Sequence, residues 1–239
     1  MERLPSTKPI YSDDPRKLAA YRFAEAARYL NIPESTLRSW VTGRNYRDDP
    51  GRQFSRPVIV IKSRRPPLMS FLNLVEAHVL AAIRREHEMI LSKVRTALGF
   101  VARALQSEQP LARQWFETDG MDLFLEHFGS SIKLSQSRKL AMRKLLEVHL
   151  RRIEWDASGL ARKWYPFVRM GVIDEPEVVV IDPYVSFGRP ALAGTGIPTA
   201  VIADRYKAGE SIDSLAEDYG RDRLEIEDAI RSELQLEAA

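Results

Sequence analysis

The sequence predicts a mainly α-helical protein with small β elements, divided into three segments. Apolar residues recur at the three- and four-residue spacing of a helix along most of the chain, and only short stretches favour strands. Proline and glycine clusters interrupt this pattern. We expect a helix-turn-helix with a wing over residues 18–66 and a central helical and β-hairpin region over residues 67–170. Residues 171–239 are expected to form a three-helix unit with helix-turn-helix spacing.

The composition is that of a globular protein and excludes several classes. Hydrophobic residues make up 44% of the 239 and charged residues 29%, which excludes collagen-like and fully disordered chains. The Val/Ile runs at residues 58–61 and 178–181 are far shorter than the roughly 20 apolar residues of a membrane helix. The absence of cysteine excludes disulfides and thiolate metal sites. We expect a cytoplasmic protein without a cofactor or a membrane contact.

Charge is distributed unevenly along the chain. The net charge is +3 overall, but it is +7 over residues 1–66 and −9 over residues 171–239. A basic segment attracts the phosphates of nucleic acid, and an acidic one repels them. The two ends are therefore expected to bind different partners.

The segment from Phe23 to Val41 has the pattern of a helix-turn-helix. Phe23, Ala27 and Leu30 form one apolar face, and the small Ala27 permits close helix crossing. Asn31 tolerates the left-handed conformation of the turn. Pro33 is suited to the start of the second helix, because its missing N–H would be unpaired there.

The second helix of this motif is expected to present polar side chains to a DNA groove. Hydroxyl groups can bond to phosphates or bases, and an arginine can bond to a guanine edge through two hydrogen bonds. The candidate groove residues are Ser35, Thr36, Arg38 and Ser39, and the candidate phosphate contacts on the wing are Arg44, Arg47 and Arg52.

The central region is predicted from periodicity alone. A short strand is expected over residues 58–62, and one long helix or two abutting helices over residues 69–106. Residues 115–134 favour a strand pair with a turn at Gly129-Ser130. Residues 137–153 predict an amphipathic helix with Leu140 on its inner face.

The acidic tail predicts a second three-helix unit. Gly194-Thr195-Gly196 is interpreted as a tight turn, because no phosphate-loop lysine follows it. Ser211 and Gly220 are expected to cap the middle helix at its start and end. Leu224 is placed inside the third helix's packing and Asp228 outside it. Carboxylates facing outward favour a protein partner over DNA.

Enzymatic activity is not expected from the residue patterns. His78, His87, His127 and His149 form no metalloprotease motif, and no nucleophile elbow occurs. We interpret these histidines as surface or packed residues.

The head resembles a known group of regulators. Phe23-Ala24-Glu25-Ala26-Ala27 and Thr36-Leu37-Arg38-Ser39-Trp40 are similar to the winged helix-turn-helix of MerR-like proteins. The stretch Pro66-Pro67-Leu68-Met69-Ser70-Phe71 fits the helical element that follows in those proteins. Pro33 departs from the pattern, since Ser or Thr often stands at that position.

The tail resembles a small domain of unknown function that is attached to antitoxins. The similarity lies in Gly188-Arg189-Pro190, Gly194-Thr195-Gly196-Ile197-Pro198-Thr199 and Leu215-Ala216-Glu217-Asp218-Tyr219-Gly220. Together with the head, it resembles an antitoxin of the VapBC type. The resemblance implies a PIN-domain ribonuclease toxin as partner and repression of the shared operon. We expect a homodimer that binds operator double-stranded DNA.

Toxin neutralisation has one candidate residue. An arginine could neutralise the Mg²⁺-binding carboxylates that the resemblance implies in the toxin, and Arg189 is the candidate for toxin binding. Shape-blocking without insertion is the alternative. Two other functions stay open: a MerR-like transcriptional regulator with an effector-binding central region, and a scaffold that contacts only proteins.

Overall fold

The structure is a computed structural model that describes residues 14–48, 51–85, 91–168 and 175–237. The helices in these ranges are α1 (Phe23–Leu30), α2 (Glu34–Thr42), α3 (Phe71–Arg85), α4 (Leu91–Ala104), α5 (Met121–Ile132), α6 (Gln136–Leu150), α7 (Thr199–Lys207), α8 (Ile212–Tyr219) and α9 (Arg223–Glu237). The antiparallel strand pairs are β1 (Arg44–Asp48) with β2 (Gly51–Ser55), β3 (Ser63–Arg64) with β4 (Pro67–Leu68), β5 (Ile153–Trp155) with β6 (Ala161–Trp164), and β7 (Val179–Val180) with β8 (Ala191–Leu192). The predicted mainly α fold is confirmed.

Helix α3 lies at the centre of the larger core. Every residue from Phe71 to Ile83 is buried, including Asn73 and Glu76. A helix that is covered on all sides belongs to the interior of a protein. Helix α3 contacts α1 on one side and α6 on another, so the head and the central region share one hydrophobic core.

The first two helices form the predicted helix-turn-helix. Phe23, Ala27 and Leu30 are buried, as the spacing predicted. Asn31 has a φ of 51°, so the left-handed turn is confirmed. Pro33 is the residue before the first turn of α2 and supplies no side-chain cap.

Several contacts attach the tail to the rest of the chain, including the backbone pairing of Trp164 with Ile181. The Tyr21 backbone pairs with Met69 just before α3, and its hydroxyl donates to the Gly188 carbonyl over 2.9 Å. The buried Arg152 guanidinium donates to the carbonyls of Tyr165 and Glu175, both over 2.9 Å. The acidic tail is therefore docked on the body by buried hydrogen bonds.

Helices α7, α8 and α9 enclose a second, smaller core. The Ser211 hydroxyl accepts from the Ser214 amide, and Gly220 ends α8 in the left-handed conformation, as predicted. The placement of Leu224 was wrong, because it is 60% exposed while Ile226 and Ile230 are buried.

The outward placement of Asp228 was also wrong. Asp228 is buried, and it accepts a 2.5 Å hydrogen bond from Arg231. The buried face of the third helix thus includes Asp228 beside Ile226 and Ile230 and excludes Leu224. The ion pair offsets the cost of burying this carboxylate.

The strand pair expected over residues 115–134 was wrong. A π-helical turn (Phe116–Gly120) leads into α5, and Gly129-Ser130 lies inside that helix. Met121, Leu125 and Phe128 are buried at helical spacing, and this burial overrides the turn preference of the glycine and serine.

Two smaller expectations fail in the same way. Residues 58–62 form no strand, because the Val58 and Ile59 amides donate to the Trp40 carbonyl. Leu140 is 53% exposed, while Met142, Leu146 and Leu150 provide the buried face of α6. The four-residue apolar run at residues 58–61 therefore packs on a helix end without pairing with another strand.

The contact between Tyr21 and Gly188 can be tested with a matched pair of glycines. Gly188 has a φ of +73°, and a Cβ there would lie 2.3 Å from the Tyr21 hydroxyl oxygen. Gly194 has a φ of +76°, and a Cβ there would meet no atom within 4 Å. We expect Gly194→Ala to lower the free energy of unfolding by about 1 kcal/mol. Gly188→Ala should cost about 1–3 kcal/mol more, because it also displaces the tyrosine.

Urea denaturation measures both costs, and a second background identifies the cause. Tyr21→Phe removes the hydroxyl, and the nearest ring carbon would then lie 3.3 Å from the new Cβ. In that background the cost of Gly188→Ala should approach that of Gly194→Ala. Equal costs in the unaltered background would show that the head and tail are not joined at this point.

Candidate functional site

The outer face of α2 is open to solvent. Its inner face is formed by Leu37, Trp40 and Val41, which are all buried. Ser35 and Arg38 are exposed on the opposite side. A helix fixed by a buried apolar face presents its remaining side chains in one orientation.

Arg38 is held loosely above the N-terminal half of the motif. Its guanidinium pairs with Glu34 one turn earlier and lies 5.2 Å from the centre of the Phe23 ring. The Arg38 side chain is 54% exposed, and an exposed pair of this kind stabilises by only about 0.3–0.5 kcal/mol. The guanidinium can therefore exchange Glu34 for another anion at little cost.

The three hydroxyls on this face differ in availability. Ser39 is half-buried, and its hydroxyl donates to the Thr36 carbonyl over 2.7 Å. Within the described residues, the Ser35 and Thr36 hydroxyls make no side-chain hydrogen bond. Ser35 and Thr36 are thus free to bond to a ligand, whereas Ser39 retains only its lone pairs.

A β-hairpin follows α2 at the position expected for a wing. Strand β1 pairs with β2 from Arg44 opposite Ser55 to Asp48 opposite Gly51. Gly43 turns the chain into β1 with a φ of +77°, and a Cβ there would lie 2.4 Å from the Ser55 carbonyl oxygen. The glycine is therefore needed for the hairpin to leave the helix end so closely.

The basic residues of the hairpin occupy known backbone positions. Arg44 is exposed at the base, and Arg95 of α4 donates to the Ser55 hydroxyl over 2.8 Å. The backbones of Arg47 and Arg52 are Cα partners across the hairpin. The side chains of Arg47 and Arg52 lie outside the part of the chain that the structure describes.

Most cations of the tail are neutralised by neighbouring carboxylates. The pairs are Arg205 with Glu210 and Asp218, Lys207 with Asp204, Arg221 with Glu225, Arg223 with Asp213 and Glu227, and Arg231 with Asp228. Over residues 175–237, Arg189 is the one basic residue that has no such pair, and it is exposed. The sequence analysis selected Arg189 for its place in the Gly188-Arg189-Pro190 motif, but it could not show that the other tail arginines form ion pairs.

Arg189 follows a strained turn that the sequence analysis missed. Ser186 and Phe187 both have positive φ values, 47° and 55°, and the Phe187 side chain is 94% exposed. The Ser186 hydroxyl donates to the Gly196 carbonyl over 2.6 Å, and Gly188 accepts from Tyr21. A non-glycine residue in this conformation costs about 1–2 kcal/mol and calls for a functional explanation. The sequence signal was an aromatic residue placed between a serine and a glycine.

The histidines that the structure describes are packed or stacked. His78 and His149 are buried, and the His78 Nε2 atom lies 3.0 Å from the His149 carbonyl oxygen. His127 stacks on Phe100 at 4.7 Å between ring centres, and His87 lies outside the described residues. No group of three or more potential metal ligands occurs among the described side chains. None of the described helices combines the length and the apolar character needed to cross a bilayer.

Two family models match parts of this chain. Residues 19–98 match a "Putative DNA-binding HTH domain", which supports a DNA-binding role for the head. Residues 179–231 match a "Protein of unknown function (DUF433)". The second match covers the strained turn, Arg189, α7, α8 and the first part of α9.

Proteins of similar length also match. The chain is 26% identical over 226 residues to "Putative antitoxin VapB45" of Mycobacterium tuberculosis, covering 88% of this chain and 92% of that protein. The predicted resemblance to a VapB-type antitoxin is confirmed. It is also 26% identical to "Uncharacterized protein Rv2308" of the same organism, with 88% of each chain covered. The crystal structure of Rv2018 from M. tuberculosis shares the fold, with a TM-score of 0.65, 24% identity and coverage of 89% of this chain and 98% of that one.

The exposed aromatic in the strained turn leads to a stability prediction. Phe187→Gly should leave the free energy of unfolding unchanged or raise it by about 0.5–1 kcal/mol, because glycine adopts a positive φ without strain. Phe128→Ala, at a fully buried ring, is the control and should cost about 3–5 kcal/mol. Chemical denaturation of both variants is the measurement. A loss above 1 kcal/mol in Phe187→Gly would mean that the ring serves folding.

Proposed function

We propose that this protein is a DNA-binding antitoxin that represses its own operon and neutralises a PIN-domain ribonuclease toxin. The observation that carries the proposal is the open polar face of α2 beside a basic hairpin. Similarity to an antitoxin over most of the chain supports the toxin partner. We propose the same three domains for these functions, at residues 18–66, 67–170 and 171–239.

The N-terminal half of α2 enters the major groove in this proposal. The free hydroxyls of Ser35 and Thr36 bond to bases or phosphates, and Arg38 leaves Glu34 to bond to a guanine edge through two hydrogen bonds. The already bonded Ser39 hydroxyl makes a weaker contribution as an acceptor.

The hairpin contacts the phosphate backbone beside that groove. Arg47 and Arg52 are Cα partners across the strands, and like charges at paired positions are unfavourable in an isolated hairpin. A phosphate backbone removes the penalty, because cations next to it release condensed counterions. Arg44 adds a third contact at the base of the hairpin.

A homodimer supplies the second half of the operator contact. Two copies related by a two-fold axis would place their recognition helices about 34 Å apart, one turn of B-DNA. A pseudo-palindromic operator upstream of the gene follows from this symmetry.

The turn at Ser186–Arg189 contacts the toxin. Arg189 carries a charge that no described carboxylate neutralises, so it can enter the acidic Mg²⁺ site of a PIN-type nuclease. The exposed Phe187 ring fills an apolar pocket at the edge of that site. Blocking of the entrance by the same turn, without insertion, is the alternative mechanism.

Operator binding should respond differently to groove and phosphate variants. Arg38→Ala is expected to cost about 1–3 kcal/mol on operator DNA and to reduce the preference over random DNA. Arg52→Ala should weaken binding to all sequences and lower the slope of log affinity against log salt by about one. Fluorescence anisotropy at several salt concentrations measures both effects.

The exposed Lys144 of α6 provides a control for operator binding. It carries a charge remote in sequence from α2 and the hairpin and has no described ion pair, so Lys144→Ala should bind as the unaltered protein does. Unaltered binding by Arg38→Ala would contradict the groove assignment. No operator binding by the unaltered protein would favour a scaffold that contacts only proteins.

Toxin neutralisation should depend on the turn. The test uses the PIN-type ribonuclease encoded beside the gene. Arg189→Ala and Phe187→Ala should each raise the inhibition constant by tenfold or more, since each removes a side chain that the toxin would bury in the complex. Lys207→Ala on the exposed side of α7 should leave it within twofold. A large effect of Phe187→Ala alone would favour shape-blocking. No inhibition by the unaltered protein would contradict the antitoxin proposal and favour a MerR-like regulator.

A further inference from the structure

A cavity lies between the head and the central region, and it is not part of either proposed interface. Its volume is about 600 Å³, within the range of small-molecule sites. Its walls come from the turn at Lys17, the chain after the wing at Val60–Ser63, the start of α3 and the stretch from Ser107 to Arg113. No residue of the outer face of α2 or of the Ser186–Arg189 turn lines it.

Three cations line this cavity without neutralising partners. Lys17, Lys62 and Arg113 come from three separate segments, and none has a side-chain hydrogen bond or ion pair with a described residue. The contrast with Arg16 is direct, because that neighbouring side chain pairs with Asp14 and Asp156. Among the described residues that line the cavity, Glu108 is the one acidic residue, so the lining has a net positive charge.

The floor of the cavity is polar and buried. The Asn73 amide group donates to the Val60 carbonyl over 3.0 Å and lies 3.5 Å from the Glu76 carboxyl. Burial raises the pKa of Glu76 to about 8, against the opposing hydrogen bonds from Asn73 and Gln109. At neutral pH the carboxyl is mostly protonated, so it places little negative charge behind the floor.

The rest of the lining combines aliphatic residues with the polar residues Ser63, Ser70, Ser107 and Gln109. Val60, Leu68, Leu72 and Leu160 contribute apolar wall, and the lining of the described cavity contains no aromatic ring. A nucleobase would find no ring to stack on. The ligand chemistry that fits is an anionic group joined to a small aliphatic body.

We propose that this cavity binds a small aliphatic molecule bearing a phosphate or carboxylate group, whose charge is held by Lys17, Lys62 and Arg113. The bound anion links the chain segment after the wing, which contains Lys62, to the central region, which contains Arg113. The inference depends on the cavity and not on the antitoxin role. It gives the protein a site through which a metabolite can act on the DNA-binding head.

Calorimetric titration with two probes tests the proposal. Inorganic phosphate and citrate are titrated separately into the full chain at constant ionic strength, with chloride as the exchanged anion. We expect saturable binding with one site per chain, and the tighter probe identifies whether phosphate or carboxylate is preferred. Arg113→Ala should weaken it about tenfold, as expected for loss of one charge-assisted contact. Lys144→Ala should stay within twofold.

Folding and DNA contacts are controlled separately. The thermal midpoint of each variant is measured first. If Arg113→Ala does not fold, Lys17→Ala replaces it, because the Lys17 side chain is exposed. Absence of saturable binding, or equal affinity in the cavity variants, overturns the proposal. So does an Arg113→Ala variant that loses operator affinity as strongly as Arg38→Ala while binding phosphate normally, because the cation would then belong to the DNA surface.

Discussion

The side chain and carbonyl of Trp40 fix both elements that face the proposed DNA groove. The ring is buried in the main core with Leu37 beside it, and this burial sets the rotation of α2 about its axis. The same residue's carbonyl accepts hydrogen bonds from the Val58 and Ile59 amides, at 2.7 and 3.1 Å. These hydrogen bonds therefore hold the chain that returns from the hairpin against the C-terminal end of α2.

This constraint explains why the polar face is exposed. A rotation of α2 by one residue would turn about 100° and would bring Trp40 into solvent. Loss of a buried tryptophan side chain costs about 3–5 kcal/mol, a large fraction of the stability of a typical domain. Ser35, Thr36 and Arg38 are outside because the tryptophan must be inside.

The tail uses its residues in the opposite way. Its described cations other than Arg189 form ion pairs with neighbouring carboxylates, and its exposed feature is a strained turn that carries Phe187 and Arg189. Hydrogen bonds from Ser186 to Gly196 and from Tyr21 to Gly188 hold that turn in its unfavourable conformation. These hydrogen bonds thus offset the strain of a turn that leaves one ring and one charge exposed.

The sequence predicted the features that depend on local chemistry. Backbone or helix geometry within a few residues predicts the turn at Asn31 and the cap at Ser211. It also predicts the burial of Phe23, Ala27 and Leu30 on one helix face. The resemblance of both ends to known families also came from short motifs. These signals do not require knowledge of the tertiary contacts.

Features that depend on long-range contacts were missed or wrong. Gly129-Ser130 favours a turn locally, yet the burial of Phe124 and Phe128 makes the segment helical. Asp228 is buried because Arg231 pairs with it, and the spacing of α9 alone placed it outside. The cavity lined by Lys17, Lys62 and Arg113 joins residues nearly 100 positions apart, so no local pattern could identify it.

The central claim is that α2 reads bases in the major groove. Dimethyl sulfate footprinting on the DNA upstream of the gene tests it directly, because the reagent methylates guanine N7 in that groove. The account requires guanines to be protected in two half-sites whose centres lie about 10 base pairs apart, with protection of the guanine facing Arg38 lost in Arg38→Ala. Binding that leaves every guanine N7 open to methylation would contradict it.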